Sequence, residues 1–202
     1  MAITALPFEL VLRSSEGVWN RDLWEQLPED GKRYEVIDGV LYMSTAPSPL
    51  HQWISRNTQR LLYTQIDDRG HGITFDAPVG LFMPGCDPVQ PDLLVLRPED
   101  HTLVLEKQIE TIPLLLVEIL SPSNPKHDLV LKLAAYARAG VPEYWVLHPR
   151  ERTVLVHSEP DPAAGRFRRT RHFAIGEELV SPGLPFRAPV AAFFALPGEP
   201  GQ

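Results

Sequence analysis

Hydrophobic and polar positions change over along this chain in short blocks, and the most apolar block marks its centre. Between positions 114 and 120, six of seven residues are apolar, and the exception is Glu118. With the two-residue period of a strand, Leu114, Leu116, Glu118 and Leu120 share one face. The block therefore predicts a buried strand with one carboxylate set in an apolar row. An unpaired carboxylate there costs several kcal/mol or keeps its proton. Something must compensate it, either an Arg or Lys side chain or a metal ion.

The same pattern places the other elements. Residues 1–17 have no clear periodicity and read as an N-terminal arm. Asn20 can cap a short helix whose apolar face is Leu23, Trp24 and Leu27, ended by Pro28. Two β-rich runs, 34–37 and 40–43, flank Asp38-Gly39 and predict a hairpin. A helix is expected over 49–67, with Leu50, Trp53, Ile54, Leu61, Leu62 and Ile66 mostly on one stripe, closed by Gly70 and Gly72. Residues 73–82 predict one or two strands broken at Pro78-Val79-Gly80, 84–89 a tight loop, 91–96 a short strand, and 97–111 a charged connection. After the central strand, Asn124 can cap a helix with Pro125 in its first position, running to Ala139 and ending at Gly140. Strands follow at 143–147, 153–157 and 166–173, and a short helix at 189–196. Helix, strands, helix, strands is the order of an α/β domain with a mixed sheet.

A length of 202 residues suits one domain, here 18–202, with a core over about 23–157 and the later strands and short helix over 158–202. At 44% hydrophobic and 22% charged, the composition is that of a soluble globular protein. No apolar run approaches the roughly 18 residues of a membrane span, and residues 1–12 lack the basic start of a signal peptide. The single cysteine, Cys86, excludes an internal disulfide framework and a multi-cysteine zinc site, and fits a reducing cytoplasm. A net charge of −7 argues against a wholesale nucleic-acid coat but permits a local basic track. Carboxylates gathered at a metal site would add to that excess.

Three carboxylates, Glu35, Asp92 and Glu118, fall at the starts or middles of predicted strands. A hard cation such as Mg²⁺ takes oxygen ligands and keeps several waters, so two or three carboxylates on neighbouring strands suffice. Such an ion polarises a phosphoryl oxygen and lowers the pKa of a bound water.

Here the residues carry a resemblance. Pro91-Asp92 followed by Glu118-Ile119-Leu120 is similar to the Pro-Asp…(Asp/Glu)-x-Lys signature of the restriction-endonuclease-like superfamily. Four segments in order resemble the Uma-two family of bacterial nucleases within it. They are Tyr34-Glu35-Val36-Ile37-Asp38-Gly39, Pro91-Asp92-Leu93, Val117-Glu118-Ile119-Leu120-Ser121-Pro122-Ser123, and Gly140-Val141-Pro142-Glu143-Tyr144-Trp145-Val146. The resemblance implies a restriction-endonuclease-like fold, a mixed central sheet flanked by helices, and a Mg²⁺-dependent endonuclease acting on DNA, with Mn²⁺ as a substitute. It implies Asp92 and Glu118 as metal ligands, with Glu35 completing or supporting the metal shell. This chain departs from the superfamily pattern at Leu120, which stands where the signature has its lysine and can neither orient a water nor stabilise phosphoryl charge. In the superfamily that lysine can migrate to a neighbouring helix, which makes Lys132 the candidate here and Lys126 the second choice.

Each assignment has a structural rival. Lys132 follows Asp128 by four residues, the spacing of a helix-surface ion pair, and Tyr136 one turn later could be core packing. Glu35 could be a solvated hairpin carboxylate. Asp38 serves the turn, and Gln90 could face either site or substrate. His51 and the run Arg166, Arg168, Arg169 and Arg171 are candidate DNA contacts, the arginines being equally an edge strand kept soluble by charge. The rival from another class is an inactive nuclease fold that binds nucleic acid or serves assembly, and a hydrolase for another phosphoester would share the site. The apolar ends, 2–12 and 190–196, could pack on their own domain or on a second copy in a homodimer.

Overall fold

The computed structural model describes residues 18–28, 30–44, 46–121 and 127–198. In chain order the elements are α1 (Arg21–Trp24), β1 (Arg33–Ile37), β2 (Val40–Ser44), α2 (Pro49–Leu62), β3 (Ile73–Asp76), β4 (Leu81–Met83), β5 (Cys86–Val89), β6 (Leu93–Leu96), β7 (Ile109–Glu110), β8 (Leu115–Ile119), α3 (Leu133–Ala139), β9 (Glu143–His148), β10 (Thr153–Asp161), β11 (Arg166–Phe173), β12 (Glu178–Val180), β13 (Arg187–Pro189) and α4 (Val190–Phe194). A π-helical turn, Tyr63–Asp67, extends α2, and another, His127–Lys132, leads into α3. The order is that of a mixed α/β protein.

The block around Glu118 is β8, and it lies inside a six-stranded sheet of order β11-β10-β9-β8-β6-β3. Its partners run antiparallel on one side (Leu93 opposite Val117) and parallel on the other (Glu118 opposite Val146). The crossover that permits the parallel pair is α3, as a βαβ unit requires. A five-stranded sheet of order β2-β1-β5-β4-β7 contains the Asp38-Gly39 hairpin.

Alternate residues of the central strands enter two different cores, which is why β6, β8 and β9 read as nearly unbroken apolar runs. Leu93, Val117, Trp145 and Leu147 pack with Ile54, Leu62 and Phe193. Leu94, Leu116, Leu120, Tyr144 and Val146 pack on the other face with Ile37, Leu81 and Tyr136. The Glu118 row faces this second core, where the six-stranded sheet meets residues of the five-stranded one.

Two segments differ from the pattern reading. Residues 86–89 form β5 rather than a loop, because both flanking strands claim them: Cys86 lies opposite Ile37 of β1, and Val89 opposite Leu81 of β4. The charged connection holds a 3₁₀ segment, Pro98–Leu105, and the two-residue strand β7. At the other end α4 packs on its own domain. Val190, Phe193 and Phe194 are buried, and Trp53 Nε1 and Asn57 Nδ2 donate to the Ala195 carbonyl at 2.8 and 2.9 Å. The arm at 1–17, the cap at Asn124 and Pro125, and Lys126 lie outside the described residues.

Candidate active site

Five elements deliver titratable or charged side chains to one cavity of about 270 Å³. The hairpin supplies Arg33 and Glu35, two residues apart and so on one face of β1. Asp92 sits immediately before β6, Glu118 one residue from the end of β8, His51 in the first turn of α2, and Lys132 where the π-helical turn passes into α3. Ser48 caps α2 by accepting the His51 N–H at 3.2 Å, which fixes where that imidazole leaves the backbone.

Two nodes organise the contacts. Asp92 Oδ2 receives the Ile119 N–H at 2.9 Å and lies 3.0 Å from His51 Nε2, while Oδ1 lies 3.0 Å from the Arg33 guanidinium. Lys132 Nζ lies 2.8 Å from Glu118 Oε1, 3.0 Å from Glu35 Oε1 and 3.9 Å from Asp128 Oδ1. Tyr136 donates its hydroxyl to Glu118 Oε1 at 2.9 Å, and the Gln90 N–H donates to Glu35 Oε1 at 2.7 Å. Asp92, Glu118, Glu35 and Lys132 are all buried.

Burial pushes the Asp92 carboxyl up, but the His51 contact, the Ile119 N–H and the Arg33 charge outweigh it and hold the group below the usual aspartate value. Glu118 goes the other way. Burial raises it well above the ordinary glutamate value against the pull of Lys132, and the negative charges of Asp128, Asp92 and Glu35 add to the rise. Burial works to strip the Lys132 proton, yet Glu118, Glu35 and Asp128 hold it more firmly than in water. Among the described residues one ammonium thus serves three carboxylates, and Glu118 is the acid left short of positive charge.

The donor set tests what could make up that shortfall. Glu35, Asp92, Glu118 and Asp128 line the cavity with Arg33 and Lys132, so among the described residues acids outnumber the permanent cations. Among the described residues no three His, Cys, Asp or Glu side chains form a ready cation cage. Mg²⁺ does not need one, since it takes one or two carboxylates and completes its shell with water and phosphate oxygens. Asp92 and Glu118 are the residues that could hold such an ion, and Glu35 stands one contact further back, through Lys132.

The sequence candidates are therefore split by the fold. Asp92, Glu118, Glu35, Lys132 and His51 come together. Lys132 reaches inward to Glu118 and Glu35 and meets Asp128 only at the longer distance. Leu120 lines the same cavity, and an ammonium stands beside Glu118 from the helix side. Arg166, Arg168, Arg169 and Arg171 do not reach the cavity. They lie on β11, at the sheet edge, three strands from β8, roughly 14 Å by ordinary strand spacing. Arg168 pairs with Asp161 at 3.1 Å, Arg169 with Glu159 at 3.1 Å, and Arg171 covers the Phe173 ring. Asp38 serves the turn as expected, at φ 50°, and is also bonded to Arg138. The residue missed in the sequence is Arg33, whose one available signal was its place two residues before Glu35.

A family model named Uma2, described as "Putative restriction endonuclease", matches residues 21–191. The chain belongs to the Uma2 family. A crystal structure described as a "putative nuclease belonging to DUF820", from Anabaena variabilis, is similar in fold, with a TM-score of 0.73 over 87% of this chain and 97% of that one, at 17% identity. No curated protein matches. The Uma2 match takes in every described residue of the two nodes, from Arg33 to Tyr136, and makes this chain one of a nuclease family.

Proposed function

We infer that this Uma2 protein is a Mg²⁺-dependent endonuclease that hydrolyses phosphodiester bonds of DNA, within one domain over 18–202. The observation that carries the reading is the buried Asp92 and Glu118 pair on neighbouring strands, with Lys132 at hydrogen-bond distance from Glu118. A divalent ion bound there supplies Lewis-acid stabilisation of phosphoryl oxygen and an acidified water. Asp92 and Glu118 offer it oxygen ligands. Lys132, its proton held by three carboxylates, orients the attacking water and faces charge that develops on the scissile phosphate. Glu35 fixes the Lys132 ammonium, and Tyr136 fixes the Glu118 carboxylate. His51 orients Asp92, and Arg166, Arg168, Arg169 and Arg171 form a separate phosphate-contacting strip on β11 for flanking DNA. The lone buried cysteine and the absence, among the described residues, of a helix long and apolar enough to cross a membrane agree with action in the cytoplasm.

A second reading, a non-catalytic nucleic-acid-binding or assembly module, draws on Leu120 at the signature lysine and on the net charge of −7. Supercoiled plasmid incubated with Mg²⁺ separates the two. Relaxation by the wild type that disappears in both Asp92→Ala and Glu118→Ala supports the nuclease. No relaxation, or equal traces in all three proteins, leaves the module. Loss in Lys132→Ala supports its place beside the water, and retained activity there moves the role to Lys126. Replacing the four arginines of β11 by Ala should flatten the salt dependence of DNA binding, and an unchanged slope removes that strip from the substrate path.

A further inference from the structure

The two oxygens of Asp92 are not held alike. Oδ2 has two partners, the backbone N–H of Ile119 and His51 Nε2, and both are set by secondary structure: one in β8, the other in the capped first turn of α2. Among the described residues Oδ1 has one partner, the Arg33 guanidinium at 3.0 Å. Arg33 is also the most solvent-accessible charged group of the two nodes. Its side chain is 21% exposed, against 11% for His51, 6% for Asp92 and 4% for Lys132. A single side-chain movement at the cavity wall therefore frees one carboxylate oxygen of Asp92 without disturbing the other.

We propose that Arg33 is an exchangeable counter-ion: it occupies the Asp92 oxygen that a divalent cation takes, and on exchange its guanidinium turns to a phosphate of the substrate. This rests on the metal-dependent nuclease reading above. The chemistry of both states is sound. A guanidinium and a divalent cation are alternative partners for one carboxylate and repel each other when both are near it. Freed of Asp92, the guanidinium is a planar donor fork matched to phosphate oxygens. Arg33 is then a positioning residue with opposite effects on the two ligands. A purely structural arginine, holding Asp92 in place, would help metal binding.

Calorimetric titration with Mn²⁺ in the absence of DNA reads the first half. Arg33→Gln should bind Mn²⁺ roughly tenfold more tightly than wild type, because a like charge a few Å from the ion is gone. Arg33→Lys, which keeps the charge, should stay near the wild-type affinity. Unchanged or weaker binding in Arg33→Gln, or no Mn²⁺ bound by any of the three, overturns the exchange. Fluorescence polarisation with a labelled short duplex in Ca²⁺, across a salt series, reads the second half. The slope of log affinity against log salt should fall by about one in Arg33→Gln, and an unchanged slope overturns the phosphate contact. Wild-type protein that binds Mn²⁺ but no duplex would overturn the phosphate contact and the nuclease reading together, with the Mn²⁺ comparison still deciding the exchange.

Discussion

At the scale of single residues, burial decides what each ionisable group does. Cys86 is fully buried, and burial together with the nearby charges of Glu35 and Asp38 pushes its thiol up to about 12. Folded protein should therefore resist alkylation by iodoacetamide at pH 8 and react fully after denaturation, as intact-mass measurement would show; rapid native labelling contradicts the burial. His157 stacks on Tyr144 and meets Phe167 at a tilt, with Tyr144 and Phe167 also in ring contact, and burial lowers it to about 4. Its folded pKa lies below the unfolded value of about 6.5, so the unfolded chain takes up the proton first as pH falls. The stability tied to the neutral ring is present above 6.5 and lost on the way down to about 4, on the order of 3 kcal/mol in all. Urea midpoints across that window should fall less steeply in His157→Phe than in wild type. Parallel curves would mean that the ring is solvated. Tyr136→Phe keeps the buried ring and deletes the donor to Glu118, and should lower stability by about 1–2 kcal/mol in the same assay.

At the scale of elements, turn chemistry and tertiary pairing contribute differently. Gly140 ends α3 at φ +84°, with nothing within 4 Å of where a Cβ would sit. Gly140→Ala should then cost about 1 kcal/mol through backbone strain alone, and Gly140→Asn less, read as shifts in thermal midpoint. Equal loss in both variants would point to packing instead. Such local signals were legible in the sequence: Asp38-Gly39 marked the hairpin, Asn20 the cap of α1, and Gly140 the end of α3. Where neighbours make the element, the pattern was silent. Cys86-Asp87-Pro88-Val89 has a proline and no alternation, and is a strand because β1 and β4 pair with it. The three-residue strands β12 and β13 are too short to show a period. Arg33 shows the same limit at the site, since its partner Asp92 is 59 positions away and no spacing rule joins them. Glu118 was legible for the opposite reason: a lone charge in an apolar row forecasts its own compensation, although not that a single lysine would be shared among three acids.

At the scale of the whole molecule, one face of a six-stranded sheet, a hairpin from a second sheet and the starts of two helices converge on one acidic cavity. Among the described residues the arrangement leaves more carboxylate than cation in buried space, an expense in stability that a bound divalent ion would offset. The basic strip on β11 lies three strands from β8 and outside the cavity. The central claim is that Asp92 and Glu118 together hold the ion on which cleavage depends. It is tested most directly by plasmid relaxation over a Mg²⁺ titration with wild type, Asp92→Ala and Glu118→Ala, each first shown to be folded by its thermal midpoint. The account predicts Mg²⁺-dependent relaxation by the wild type and a loss of at least about a hundredfold in each variant. Relaxation that persists in the folded variants, or that ignores the Mg²⁺ concentration, would contradict it.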